Sequence, residues 1–356
     1  MNYSYDQLHS FTFRLLGKIG CPEDQAKTAA DVLVSADLRG VDSHGVARLS
    51  GYVRLWEKGR INLTPEIKII HETPSTAVID GDAGLGLVVA PYAMEVAMAK
   101  AEKVGTGWVS VKNSNHYGIA GYHAMMALEK DMIGLSFTNA SPLVSPTFSK
   151  ERLLGTNPIS VAIPANEEPP FVADMATTTA ANGKLEILQR KGENAPDGWI
   201  QDQAGNPTQS PNGVKDGGAL LPLGGDRIHG SHKGYALGSI VDIFSAVLSG
   251  ANYGPWVPPF VAFLDPDPNP VGEGIGHFFG AMRVDAFRPA DEFKSHMDNW
   301  IKRFRQSETT SNHDKVLIPG DPERVLETER IKNGIPLLDP VVNDLKSLSD
   351  RFGVEF

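Results

Sequence analysis

The spacing of apolar residues changes character twice along this chain, and those two switches constrain its fold more than any single motif. Before Gly59 the period is helical. Leu8, Phe11, Leu15 and Ile19 recur every three to four residues, and Ala26, Ala29, Ala30, Leu33 and Val34 repeat the pattern after Pro22. Gly20-Cys21-Pro22 ends the first helix, and Pro22-Glu23-Asp24 opens the second with acidic residues near its positive end. A third helix is expected from Asp42-Ser43, which offer N-cap chemistry, through Leu49, Tyr52, Val53 and Trp56 to Gly59.

From Ile67 onward, strand-like and helix-like runs alternate. Ile67–Ile70, Thr76–Asp80, Trp108–Val111, Ile133–Thr138, Ile159–Ile163, Phe171–Asp174 and Phe278–Ala286 read as strands. Leu87–Val104, Gly121–Lys130, Thr178–Leu188 and Tyr235–Leu248 read as helices. Residues 192–231 and Tyr253–Gly276 are dense in Gly, Pro, Asn and Asp and predict surface loops. Amphipathic helices return from Asp291 to Phe356. The result is an α/β (α+β) chain: a sheet-containing middle, residues 73–289, between helical ends, 1–72 and 290–356, that can pack together as one discontinuous domain.

Composition narrows the function classes. Lys and Arg number 33 against 43 Asp and Glu, a formal charge of −10, whereas nucleic acid and anionic lipid reward a basic surface. Hydrophobic residues at 41% exclude a disordered chain. Cys21 is the sole cysteine, so neither an intramolecular disulfide nor a cysteine-based metal site can form, as in a reducing compartment. Met1-Asn-Tyr-Ser-Tyr-Asp6 lacks the basic start and apolar stretch of a secretory signal. Pro91, Glu95 and Asp242 interrupt the longest apolar segments short of a membrane span. These features predict a soluble cytoplasmic protein with no nucleic-acid or membrane partner.

Several constellations carry possible chemistry. Gly81-Asp-Ala-Gly84-Leu-Gly86 lies between a strand and a helix, where a dinucleotide fingerprint would place its glycines. The third glycine position is Val89, however, and the next strand ends in Lys112-Asn113-Ser114-Asn115 without a ribose-binding carboxylate, so this reads as a helix-capping turn and not a Rossmann motif. His44, Arg48 and Tyr52 are four residues apart, which on a helix aligns them along one face. A guanidinium can grip a carboxylate through two parallel hydrogen bonds, and an imidazole beside it can move a proton on an adjacent oxygen. The same three residues would equally suit a solvated helix face. His116, in Asn113-Ser-Asn-His-Tyr-Gly118 after a strand, is open to a structural or a functional reading. Asp174-Met175-Ala176-Thr177-Thr178 and Gly230-Ser-His232-Lys233-Gly234-Tyr235 each stand at an expected helix start, suited to phosphate or to plain capping. His229 and His232 have ligand-like spacing, but no carboxylate or third ligand accompanies them, and no metal is expected.

Six stretches, in order, resemble the malate/L-lactate dehydrogenase family of the second type, which includes ureidoglycolate and sulfolactate dehydrogenases. They are Ala36-Asp-Leu-Arg-Gly-Val-Asp-Ser-His-Gly45, Asn113-Ser-Asn-His-Tyr-Gly-Ile-Ala-Gly-Tyr122, Leu154-Gly-Thr-Asn-Pro158, Asp174-Met-Ala-Thr177, His232-Lys-Gly-Tyr235 and Ile318-Pro-Gly-Asp321. The resemblance implies a non-Rossmann, mixed and largely antiparallel sheet domain for a nicotinamide cofactor, covered by a helical domain from both chain ends, in a homodimer or larger homo-oligomer. It implies a proton donor and acceptor at His44, a substrate-carboxylate anchor at Arg48 and a second active-site histidine at His116. Tyr52 is expected to help bind substrate. Cofactor contacts are implied at Asn139, Asp174, Met175, Ala176, Thr177, His232, Lys233, Gly320 and Asp321. Two departures stand out: Pro-Gly-Asp321 where the family commonly has Pro-Gly-Glu, and Asn182 where many relatives have Arg. With only Lys184 nearby to meet a ribose 2′-phosphate, NAD is expected over NADP, which stays possible. The expected reaction is hydride exchange between NAD(H) and a small 2-hydroxy acid such as malate or lactate. The alternatives are reduction of a cyclic imine or diketo sugar acid, or a catalytically silent cofactor-binding protein.

Overall fold

The computed structural model describes residues 2–356, the side chain of Arg190 excepted. Helices α1 (Tyr5–Lys18) and α2 (Glu23–Leu38) form where the periodicity places them. Ser4 caps α1, its hydroxyl accepting from the Gln7 amide while the Gln7 side chain accepts from the Ser4 amide. The expected third helix is broken. Asp42–His44 and Val46–Arg48 are separate 3-10 turns, and only Leu49–Glu57 (α3) is α-helical.

The middle of the chain builds a seven-stranded sheet from β1 (Lys68–Glu72), β2 (Thr76–Asp80), β3 (Thr106–Ser114), β4 (Met132–Thr138), β5 (Ile159–Ile163), β6 (Phe171–Met175) and β7 (Ile275–Arg283). Its order is β1-β2-β3-β7-β4-β5-β6. Only β2 and β3 run parallel; every other neighbouring pair is antiparallel. This is the expected mixed, largely antiparallel sheet; β2, the helix Gly86–Val104 and β3 form one parallel crossover, without the repeated crossovers of a doubly wound fold. The late strand β7 inserts between β3 and β4, with Phe279 opposite both Val109 and Ser136.

Helices α4 (Gly86–Val104) and α5 (Ala120–Met126) pack against the sheet. Ile79, Val89, Ala93, Met94, Val109 and Phe279 fill the layer between α4 and the sheet. The helical ends share one core: Leu8, Phe11, Leu15, Leu33, Leu49 and Val53 meet Ile335, Val342, Leu345 and Leu348, and Leu85, which caps α4, joins them with Leu87 and Val88 of that helix. Residues 178–188 differ from expectation. The helix there, α6, spans Asn182–Lys191, because Thr177 and Thr179 hydrogen-bond back to Thr156 and Leu221 and hold the chain extended. Helix α7 (Ser231–Asp242) runs on into a π turn, Ile243–Val247. Helices α8 (Ala290–Arg305), α9 (Asp321–Asn333) and α10 (Asp339–Phe352) complete the chain. Among the described residues no helix is long and apolar enough to cross a membrane.

Candidate active site

The break between His44 and Arg48 has a local cause. Asp37, buried near the end of α2, accepts a hydrogen bond from the Val46 amide at 2.8 Å. Its carboxylate lies so close to Gly45 that a Cβ there would stand 2.0 Å from Asp37 Oδ1. Glycine lets the turn close down on α2, and Asp37 supplies the acceptor that the broken helix withholds. Burial pushes the Asp37 carboxyl up to about 8, against the opposing pull of the Val46 amide and Arg330. The common helix face expected for His44, Arg48 and Tyr52 therefore does not exist.

His44 and Tyr52 nevertheless converge, because both meet His116. The His44 and His116 rings stack with centroids 5.5 Å apart. The Tyr52 hydroxyl lies 2.6 Å from His116 Nδ1, and the Gly118 amide donates to the same nitrogen at 3.4 Å. Two donors at Nδ1 make it an acceptor, which assigns the proton of neutral His116 to Nε2. His44 Nδ1 pairs with Ser43 Oγ at 2.9 Å. Arg48 spends its Nε on the Ser43 carbonyl, and neither its Nη1 nor its Nη2 has a hydrogen bond among the described residues. Burial, then the Arg48 charge, lowers His44 to about 4. Burial, then His44, Arg48 and His277, holds His116 well below the ordinary imidazole value. At neutral pH the site therefore offers two neutral imidazoles beside a cation with a free edge.

The His116 loop owes its place to the glycine turn that failed as a dinucleotide motif. A Cβ on Gly86 would lie 2.1 Å from the Asn115 carbonyl, and Asn115 Nδ2 donates to the Ala83 and Gly84 carbonyls. Those glycines thus seat the catalytic-loop candidate against α4. Phe260, which the sequence reading missed in its Pro-rich loop, stacks on His116 at 4.3 Å and meets Tyr52 edge-on at 5.0 Å.

A cleft of about 590 Å³ adjoins His44. It runs along Arg39–His44, Gly118–Gly121, Asp174–Ala176, Thr178–Ala181 and the first turn of α6, with Glu323 from α9. Of the expected cofactor residues, Asp174, Met175 and Ala176 line it. Thr177 is buried behind them, its hydroxyl on the Thr156 and Asn157 carbonyls. Asp174 is exposed at the cleft wall and accepts from the Gly121 amide at 2.8 Å. The phosphate-ready helix start expected at Thr177 moves to Ala181-Asn182. There α6 begins with no side-chain cap and no acidic residue in its first turn, and Ala181, Gly183 and Lys184 face the cleft. Such an uncapped positive end, a lysine and small flanking residues fit the pyrophosphate of a dinucleotide.

The other expected contacts stand elsewhere. Asn139 is buried, donating to Asp242 and the Asn252 carbonyl and accepting from the Gly276 amide. Asp321 closes its own turn by accepting from the Ile318 amide and also binds Arg305 and Arg324. Gly320 lines a smaller hollow that shares Val172, Asp174, Met175 and Glu323 with the cleft. His232 pairs with Arg227 and Lys233 is exposed at the start of α7, while His229 pairs with Asp226. Among the described residues no group of three or more metal-ligating side chains is assembled.

The family model described as malate/L-lactate dehydrogenase matches residues 3–346. The malate dehydrogenase of Pyrococcus abyssi is 46% identical over 351 residues, 98% of this chain and 94% of that protein. The malate/(S)-sulfolactate dehydrogenase of Methanothermus fervidus is 40% identical over 356 residues, 100% of this chain and 99% of that protein. Among solved structures, the sulfolactate dehydrogenase of Methanocaldococcus jannaschii matches with a TM-score of 0.91 at 37% identity, covering 100% of this chain and 98% of that one. The resemblance carried by the six motifs is borne out, and the chain belongs to the malate/L-lactate dehydrogenase family.

Proposed function

We propose that the protein oxidises a small 2-hydroxy acid to the 2-oxo acid, and catalyses the reverse, with NAD(H) as partner. The observation that carries this reading is the stacked pair of neutral imidazoles, His44 and His116, beside Arg48, with His44 lining the cleft and His116 and Arg48 set behind it. Arg48 Nη1 and Nη2 grip the substrate carboxylate in parallel, which orients the α-carbon. His44 Nε2 takes the hydroxyl proton in oxidation and returns it in reduction, while Nε2–H of His116 donates to the same oxygen. Tyr52 keeps His116 in that tautomer. When bound, the nicotinamide ring accepts or returns the hydride. Asp174–Ala176, Thr178–Ala181 and the start of α6 would hold the dinucleotide.

NAD is favoured over NADP because, among the described residues lining the cleft, no free cation is left for a ribose 2′-phosphate: Arg39 is engaged by Glu327 at 2.8 Å, and Lys184 stands at the helix start that fits the pyrophosphate. Asp42, Asp174 and Glu323 add carboxylates to the lining. The names of the relatives direct the substrate toward malate or sulfolactate, each a 2-hydroxy acid with a second anionic arm. We assign residues 1–72 with 290–356 to a helical domain and 73–289 to a cofactor domain, the strand Lys68–Glu72 crossing over to the edge of the cofactor domain's sheet, in a cytoplasmic homodimer. An apolar stripe supports the dimer: Ile240, Ile243, Phe244, Val247 and Leu248 recur at helical spacing along α7 and its π turn and are each more than 40% exposed. The test is absorbance of NADH or NADPH with malate, sulfolactate, lactate and ureidoglycolate. Turnover of malate or sulfolactate with NAD is expected; tight NADH binding without turnover of any 2-hydroxy acid would overturn the reading.

A further inference from the structure

Arg60 follows α3, the helix that carries Tyr52, and reaches across to the segment Val257–Leu264. Its Nη2 donates to the Pro259 carbonyl, and its Nη1 to the carbonyls of Val261 at 3.3 Å and Leu264 at 3.2 Å. The Arg60 carbonyl in turn accepts from Asn115 Nδ2, next to His116. Phe260 sits inside this clamp. Its amide donates to Ser141 Oγ at 3.0 Å, and its ring lies 4.3 Å from that of His116 with 29° between their planes. His116 thereby stacks with both Phe260 and His44, and Tyr52 stands at its Nδ1 edge. Among the described residues, Nδ1 of His116 is the ring nitrogen that hydrogen-bonds, and Nε2 makes no hydrogen bond.

We infer that Phe260 is a positioning residue for His116, and that Arg60 acts through Phe260 by fixing the backbone on which that ring is mounted. The inference rests on the hydroxy-acid reading, which gives His116 its part in the proton transfer. One guanidinium that binds three carbonyls of a Pro-rich loop removes much of the freedom such a segment would otherwise have. An aromatic ring stacked on the imidazole fixes its plane and excludes water from that side. The titratable and charged groups facing His116 are His44, Arg48, Tyr52 and His277, and none belongs to the segment 257–264. A change at Phe260 therefore alters the solvation and mobility of His116 without adding or removing a charge.

The experiment measures kcat and KM in both directions, and follows the His116 imidazole by NMR from mildly acidic to mildly alkaline pH. The variants are F260A, F260L, F260Y, R60M and the double variant R60M/F260A. F260A and F260L are expected to lose about 10- to 100-fold in kcat, the scale of a misplacement near 1 Å, with KM for the 2-oxo acid little changed. F260Y, which keeps the stacked ring, retains most of kcat. R60M loses kcat in the same way, and the double variant is no slower than F260A, since Arg60 has no separate route to the reaction. In F260A the His116 titration rises toward the ordinary value of about 6.5 as water reaches the ring. Wild-type kcat in F260L with an unmoved His116 titration, or additive losses in the double variant, would overturn the inference. The titration needs no substrate. If it moves as expected while the wild-type protein turns over no 2-hydroxy acid, the functional reading fails and the positioning role stands.

Discussion

Gly45→Ala tests how the turn that carries His44 and Arg48 is held. The added Cβ would stand 2.0 Å from Asp37 Oδ1, 2.2 Å from Cγ and 2.3 Å from Oδ2. Restoring ordinary contact requires the turn and α2 to part by roughly 1.5 Å, or Asp37 to swing away. Overpacking of this kind costs about 1–3 kcal/mol. If Asp37 swings, the Val46 amide loses its 2.8 Å acceptor, and an orphaned buried N–H costs about 1–3 kcal/mol more. The sum, about 2–6 kcal/mol, lowers Tm by roughly 3–8 °C, taking about 2.1 cal/mol/K of unfolding entropy per residue. Displacing His44 and Arg48 by about 1 Å also costs about 100-fold in kcat/KM. Differential scanning calorimetry and NADH-coupled kinetics read the two losses. Removing the obstruction in G45A/D37A should make the double variant more stable than the sum of the single losses by about 1–3 kcal/mol. A G45A protein with unchanged Tm and nearly unchanged turnover would show that Asp37 does not constrain the turn.

Three further outcomes follow from the same geometry. Tyr52→Phe removes the 2.6 Å contact that fixes the His116 tautomer; kcat should fall about 10-fold, as for a hydrogen bond of about 1.4 kcal/mol, with folding by circular dichroism unchanged. His44 and His123, lowered to about 4, and His277, lowered to about 3, stay neutral in the fold while their unfolded counterparts protonate near about 6.5, so their contribution is lost as pH falls through that interval. Asp37, raised to about 8, acts oppositely: the folded carboxyl keeps its proton, and stability is lost as pH rises from about 3.9 to about 8. Between about 6.5 and 8 only Asp37 among these groups still changes, so urea unfolding should show stability declining with pH in the wild type and a flatter profile in D37N. Val247→Asp places a charge in the exposed apolar stripe and should shift the sedimentation profile to monomer; a monomeric wild type would remove that stripe as the dimer face.

The sequence disclosed what depends on local pattern. The Leu8, Phe11, Leu15 period marks α1, and Ile159–Ile163 is a strand with the bounds its pattern suggests. His44, Arg48 and Tyr52 were found by a four-residue spacing whose geometric reason was wrong. A contact nine residues away, Asp37 to Val46, breaks the helix that spacing assumed, and His44 and Tyr52 meet instead through His116. His116 looked like an ordinary loop histidine because its partners come from distant segments. Phe260 and Arg60 carried no signal at all, since their contacts are 144 and about two hundred residues away in sequence. The helix expected at Thr178 starts later because long-range bonds to Thr156 and Leu221 outweigh local propensity. For Asn139 and Asp321, the sequence displays a polar side chain without revealing that the fold already satisfies it.

In the proposed reaction Arg48 and the two histidines act on one substrate molecule. The most direct measurement is a crystal structure of the protein with NADH and oxamate, an unreactive 2-oxo acid analogue. The expected complex has the oxamate carboxylate on Arg48 Nη1 and Nη2, and its amide carbonyl oxygen within hydrogen-bond reach of Nε2 of His116 and of Nε2 of a protonated His44. A carboxylate seated on another cation, with those imidazoles facing solvent, would contradict it.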